Sequence, residues 1–346
     1  MVVDKELRVA NDMHRPITMA RILAVTLSCA AGLAVAVIFG MAVGSSGTDF
    51  GALFRSLKGQ GAVDATTWTI FWQLRWPRVL IAMETGAALA LGGLVFQALL
   101  RNPLAEPYVL GTSGGAAVGA IVGILVGLSP FPGVSAAAFG SSALSVTLVL
   151  ILASGRGGLR RDALILAGVM VNAFCGALIL FFISNTQDAR LHTILFWLMG
   201  DLSRAEISAV YRLGGVLAAC STILLAMARS MNVMLMGRDT AGTLGVPVTW
   251  TQWFLFGVTT FMVSAAVCAT GLLGFVGLAV PHGLRMLLGP DHRVLVPACF
   301  FGGGGYLIIC DALARWIPKH GEMPAGVVTA LIGAPLFIVL LRRTLR

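Results

Sequence analysis

The chain has 346 residues, of which 58% are hydrophobic and only 11% carry a charge, against about a quarter in a typical soluble domain. Mean hydropathy is +0.90. This composition excludes a soluble enzyme, a disordered chain and a nucleic-acid-binding domain, despite a formal net charge of +9, and points to an all-α polytopic membrane protein.

A polar tail over residues 1–20 precedes the first apolar run, Ile22–Val43. A membrane span needs about 20 apolar residues, whereas a signal-peptide core has about 7–15; the run therefore reads as an uncleaved span. The segment 44–70 that follows carries no interpretable motif. Further apolar runs are Val79–Leu100, Gly114–Leu128, Ala136–Ala153, Ala163–Ile183, Ala209–Ala228, Trp250–Ala269, Leu272–Leu288, Val294–Leu313 and Gly326–Leu341. They predict about ten transmembrane helices in a single domain over residues 21–346. An even number of spans puts both termini on one side. Placing that side in the cytoplasm gives it fifteen of the 24 Lys and Arg, including the densest groups, as the positive-inside rule requires.

Gly115, Gly119, Gly123 and Gly127 recur every four residues in the third run, a face suited to close helix packing. The Gly302–Gly305 run weakens a helix by about 1 kcal/mol per residue relative to Ala. It predicts a flexible or tightly packed start to the ninth span.

The search for chemistry mostly excludes. There is no GxxxxGK[ST] loop for ATP and no HExxH. The six cysteines form no CxxC pair and read as buried, inert thiols. No metal site or chain-bound cofactor is expected. Gly111-Thr112-Ser113-Gly114 matches the GxSG of intramembrane serine proteases, with His282 as the available base; the plainer reading is a hydroxyl pair capping a helix. Glu84 and Asp311 are the acids lying well inside predicted spans, where a proton-coupled transporter would use them. The alternative is pairing with a neighbour. Arg78 precedes Glu84 by six residues, and Arg315 follows Asp311 by four, the spacing of a same-face pair.

Arg229–Thr249 is a long loop expected on the cytoplasmic side. Asp239 or Thr240 can cap a short helix through Ala241 and Leu244, which Gly245 and Pro247 end. Such a helix is either a docking element or a hairpin covering its own bundle.

Several stretches together carry a resemblance: Arg75-Trp-Pro-Arg78 with Gly86–Ala90, Asn102-Pro-Leu-Ala-Glu-Pro107 with Gly111–Gly115, Gly274–His282, Asp291-His-Arg293 and Gly326–Pro335. From about residue 65 to its end the chain resembles the FecCD-type permeases. These are the membrane subunits of ABC importers for ferric siderophores, heme and cobalamin. The resemblance implies a homodimer in a bacterial inner membrane that moves heme or another iron chelate inward by alternating access. Two ATPase subunits would use ATP-Mg, which accounts for the absent P-loop, and one periplasmic binding protein would deliver the substrate. It implies that Asp239, Thr240, Ala241, Gly242, Thr243, Leu244 and Gly245 form the coupling helix that engages the ATPase. Arg75, Arg78 and Arg315 would meet acidic side chains of the binding protein, steering it by charge. Asn102 and Leu104 match positions that narrow the pathway at its cytoplasmic end. Where relatives carry small hydroxyl residues at a second constriction, this chain has Arg160, Arg161 and Asp162.

Overall fold

In a medium without water, each apolar segment has to satisfy its own backbone hydrogen bonds, and a helix does so within one segment. A computed structural model describes residues 18–44, 68–155, 158–159, 161–186, 188–318 and 321–344. The tail over 1–17, Arg160 and nearly all of segment 44–70 lie outside them. Thirteen α-helices occur among the described residues: α1 Met19–Ala42, α2 Trp76–Leu100, α3 Thr112–Val126, α4 Ser135–Ala153, α5 Arg161–Ser184, α6 Asp188–Leu198, α7 Ile207–Ala226, α8 Ala228–Leu235, α9 Arg238–Thr243, α10 Val248–Thr270, α11 Val276–Leu288, α12 His292–Trp316 and α13 Ala325–Thr344. Their one strand pairing is a two-residue ribbon, Ser154–Gly155 with Gly158–Leu159. Among the described residues seven helical stretches are long and apolar enough to cross a membrane, with α3, α11 and α13 shorter but apolar. Each of the ten predicted runs falls on one of these ten.

The bundle is organised around α2. From Pro77 to Leu100 every residue except Leu80 and Met83 is buried, whereas α1 buries only Ala36, Gly40 and Met41. A helix apolar on all sides belongs inside, and α2 is enclosed by α12, α10, α11 and α7. Small residues let these backbones meet. A Cβ added at Gly86 would collide with the Gly303 carbonyl, and one at Gly93 with the Gly277 carbonyl. The Gly302–Gly305 run therefore lies in the middle of α12, against α2 and α1, and not at a flexible helix start. In α3, Gly115, Gly119 and Gly123 do pack on α4, while Gly127 ends the helix at φ +82°.

Two of the short helices begin inside the bundle. Pro107 lies against Gly92 and Gly277, and Leu89 offers its carbonyl beside Gly277. The starts of α3 and α11 thus sit about 12 Å short of the Leu100 end of α2, taking 1.5 Å per residue. Irregular backbone at such depth needs partners from the protein, and it has them. Glu106 Oε1 accepts the Phe275 N–H at 3.0 Å, and the Tyr108 hydroxyl accepts the Leu273 N–H at 3.0 Å.

Candidate functional site

At the end of the bundle where α2 begins, α1 finishes with carbonyls that no later turn can satisfy. Arginines take them. Arg75 Nη1 donates to Met41 O at 2.8 Å, and Arg315 donates to Val43 O at 2.7 Å and Gly40 O at 2.9 Å. Cations also complement the negative end of the helix. Arg315 Nε reaches Asp311 Oδ2 at 3.1 Å, confirming the same-face pair expected from the i, i+4 spacing. Arg78 bonds the other Asp311 oxygen at 2.9 Å and Glu322 at 2.6 Å. Arg78 therefore does not serve Glu84. All three arginines are buried, and Asp311 is 1% exposed. Their donors are turned inward, and Glu322 is the half-open member of the knot, with 36% of its side chain exposed.

The opposite end carries an exposed hairpin. After α8, Gly237 at φ +124° makes a reversal that an L side chain rarely adopts, and α9 starts at once with Arg238. The predicted cap at Asp239 or Thr240 is corrected: Gly237 occupies that position and Asp239 lies in the first turn, where its charge suits the helix dipole. Of Asp239–Gly245 only Ala241 is buried, anchoring the turn, while Leu244 is 61% exposed. Arg238 donates to Thr249 Oγ1 at 3.0 Å and closes the hairpin onto α10.

This hairpin is tied into the bundle through α8. Arg101, in a left-handed conformation at the end of α2 (φ 47°), sends its guanidinium to Met234 O at 2.6 Å. On α8, Asn232 Oδ1 accepts the His292 N–H at 2.8 Å and lies 2.7 Å from His292 Nδ1, fixing the start of α12. Asp291 caps that helix through the Arg293 N–H at 2.8 Å. Burial pulls the Asp291 carboxyl upward, but bonds from Arg293 and Asn232 outweigh it and hold the group below the ordinary carboxylate range. Next to Arg101, the Asn102 carboxamide accepts the Leu104 N–H at 2.9 Å, turning Leu104 outward to 45% exposure. The charges of Arg101 and Arg238 both bear on Arg161 at the start of α5, with Asp162 opposing them. Sequence reasoning missed Arg101, Asn232 and Glu322, because no local spacing links residues 60 to 244 positions apart.

The profile of the FecCD transport family matches residues 32–343. The chain belongs to that family. It is 40% identical to the cobalamin import permease BtuC of Halobacterium salinarum over 82% of this chain and 76% of the relative. It is 38% identical to the hemin transport permease HmuU of Yersinia pestis over 88% and 92%, and 39% identical to the vitamin B12 import permease BtuC of an Escherichia coli strain over 80% and 84%. Among solved structures, an ABC transporter described as metal-chelate type, in an inward-facing conformation, matches with TM-score 0.83 and 28% identity. That match covers 92% of this chain and 99% of the other. A FecCD permease is a transport subunit whose ATPase resides in partner chains, so the missing P-loop is a family property.

The other candidates do not assemble into a site. Gly111 at φ +87°, not the hydroxyl pair, occupies the cap of α3, and Thr112 Oγ1 donates back to Pro107 O at 2.9 Å. Ser113 and His282 lie on α3 and α11 with no hydrogen bond between them; both His282 nitrogens lack a partner, and its ring packs edge-on to Phe337. Glu84 is buried facing Gly214 of α7, its Oε2 without a partner. Among the described residues no cluster of His, Cys, Asp and Glu could hold a metal ion.

Proposed function

We propose that this permease works as a homodimer with ten crossings per chain and both termini in the cytoplasm of a bacterial cell. In this reading two ATPase subunits seat on the α9 hairpins and hydrolyse ATP-Mg, and one periplasmic binding protein delivers the cargo. Neither this chain nor its site performs chemistry on the cargo.

The observation that carries the reading is an exposed helix with rigid ties. Leu244 and its neighbours face solvent, while Arg101 and Asn232 fasten α8, one turn away, to the ends of α2 and α12. Closure of the ATPases would move α9 and α8 together. Arg101 would then drag the end of α2, where Asn102 and Leu104 stand at the inner constriction, and Asn232 would drag the start of α12. Hydrogen bonds to charged donors are the stronger kind, so the arginine tie transmits force as well as position.

For the binding protein we place the contact at the rim that Arg75, Arg78 and Arg315 organise. The bond from Arg78 to the exposed Glu322 is the outermost of their described bonds, so an acidic partner would compete with Glu322 for Arg78.

Heme is our preferred cargo, supported by the hemin permease relative that this chain matches along nearly its whole length. Cobalamin is the second reading, favoured by the identity to two BtuC permeases; a ferric siderophore is the third. The test is uptake into proteoliposomes holding this chain, its ATPase and its binding protein, with each of the three ligands offered. ATP-dependent uptake of heme alone is expected. Uptake of cobalamin alone reassigns the cargo. Uptake by the lone chain under a pH gradient, abolished by Glu84→Gln, would overturn the ATP-driven reading in favour of a proton-coupled one.

A further inference from the structure

A cavity of about 910 Å3 opens at the arginine end of the bundle, between α4 and α7 and backed by the end of α10. Its end of the molecule follows from Glu84 and Gly214, which pair the early turns of α2 and α7. The inner wall is apolar, formed by Phe139, Leu213, Val216, Ala265 and Cys268. Of the charged lining residues, Asp201, Arg204 and Glu206 precede α7, and Arg212 stands on its second turn. Along α7 the cavity runs from Glu206 to Val216, about 15 Å at 1.5 Å per residue. That is half the roughly 30 Å hydrocarbon core of a bilayer.

The mouth has an uneven charge arrangement. Arg204 and Asp201 pair with each other at 3.6 Å. Arg212, exposed on the second turn of α7, pairs with no carboxylate among the described residues; its guanidinium lies over the Phe131 ring at 3.6 Å. Among the described residues the Glu206 carboxylate accepts the Ser208 hydroxyl, at 3.3 Å, and pairs with no cation. Among the described residues, one unneutralised cation and one unneutralised anion therefore face a greasy slot. A guanidinium suits a phosphate, and a carboxylate suits a primary ammonium.

The geometry points to a bound phospholipid with an ethanolamine headgroup, its phosphate on Arg212, its ammonium on Glu206 and an acyl chain between α4 and α7. Phosphatidylglycerol carries its one charge on the phosphate and offers Glu206 only hydroxyls, and a lipid without a primary amine loses the charged hydrogen bonds to that carboxylate. Gly140 lines the same slot, and a Cβ built there meets nothing within 4 Å. A larger side chain at this position enters the cavity without disturbing its neighbours.

The test is native mass spectrometry of the purified chain, delipidated and then exposed to equimolar dioleoyl phosphatidylethanolamine, phosphatidylglycerol or phosphatidylcholine in micelles. Retention of one phosphatidylethanolamine, about tenfold above the other two, is expected, a preference of about 1.4 kcal/mol. Arg212→Gln should abolish retention of all three lipids. Glu206→Gln should erase the ethanolamine preference while leaving phosphate-dependent retention. Gly140→Leu should exclude the lipid while the melting temperature holds. Equal retention of all three lipids by the unaltered chain, or retention that survives both Arg212→Gln and Gly140→Leu, overturns the assignment. Glycerophosphoethanolamine, the headgroup without chains, should not compete; if it does, the acyl slot plays no part. Displacement of the lipid by heme would make the cavity part of the transport route, and that outcome also overturns it.

Discussion

The two ends of the bundle use arginine in opposite ways. At one end Arg75, Arg78 and Arg315 are buried and spend their donors on α1 carbonyls, Asp311 and Glu322. At the other, Arg101 makes one bond to Met234 O beside a helix that is nearly all exposed. The first arrangement locks helices together; the second leaves a surface to be seized and a tie to carry motion. Charge near a membrane boundary is thus no sign of a partner by itself. What matters is whether its hydrogen-bond capacity is already filled.

The largest effect that comparison foresees is on folding. Asp311→Ala strips two buried arginines of their shared carboxylate, and losing one partner of a buried ionic network costs about 3–5 kcal/mol. Yield of folded, monodisperse protein should collapse. A variant that purifies with an unchanged melting temperature would show that the knot is not what holds α1 to the bundle.

Leu244→Asp should do the reverse. The side chain is exposed, so stability should change by no more than about 0.5 kcal/mol, while ATPase association and ATP-driven uptake drop by roughly tenfold or more, as for loss of an interface anchor. Normal co-purification and transport by this variant would remove α9 from the interface. Arg101→Ala tests the tie: the ATPase should still bind, but uptake per ATP hydrolysed should fall, by about threefold to tenfold for a lost charge-assisted bond of about 1 kcal/mol or more. Loss of binding would instead make Arg101 part of the docking surface. The smallest effect is expected from Glu322→Gln, which loosens Arg78 toward solvent. Affinity for the binding protein should rise by about twofold to fivefold, in line with a rim charge worth up to about 1 kcal/mol. An unchanged or weaker affinity would separate the knot from docking.

Much of this was legible in the chain. Each apolar run became an apolar helix, because length and composition suffice where backbone groups have no water to turn to. Asp311 and Arg315 met because four residues of helix bring them to one face. The end of the short helix around Ala241 and Leu244 was placed within about a residue, since Gly245 follows it; its start was missed by two or three residues because Gly237 caps it by conformation and not with a side chain. Arg78, six residues before Glu84, does not pair with it, since Arg78 is drawn to two acids contributed by distant residues.

The sequence by itself determined the medium, the number and position of the apolar helices, the family and the hairpin. Those follow from local composition and from spacing within one helix. Tertiary structure alone decided that α2 is the centre and α1 the periphery, since both are similarly apolar and only shape at Gly86, Gly93, Gly277 and Gly303 selects the partner. It also decided which arginines are sealed and which tie α9 to the bundle, because those bonds join residues from 34 to 275 positions apart. No periodicity encodes such pairs; only the packing of the helices brings them within reach.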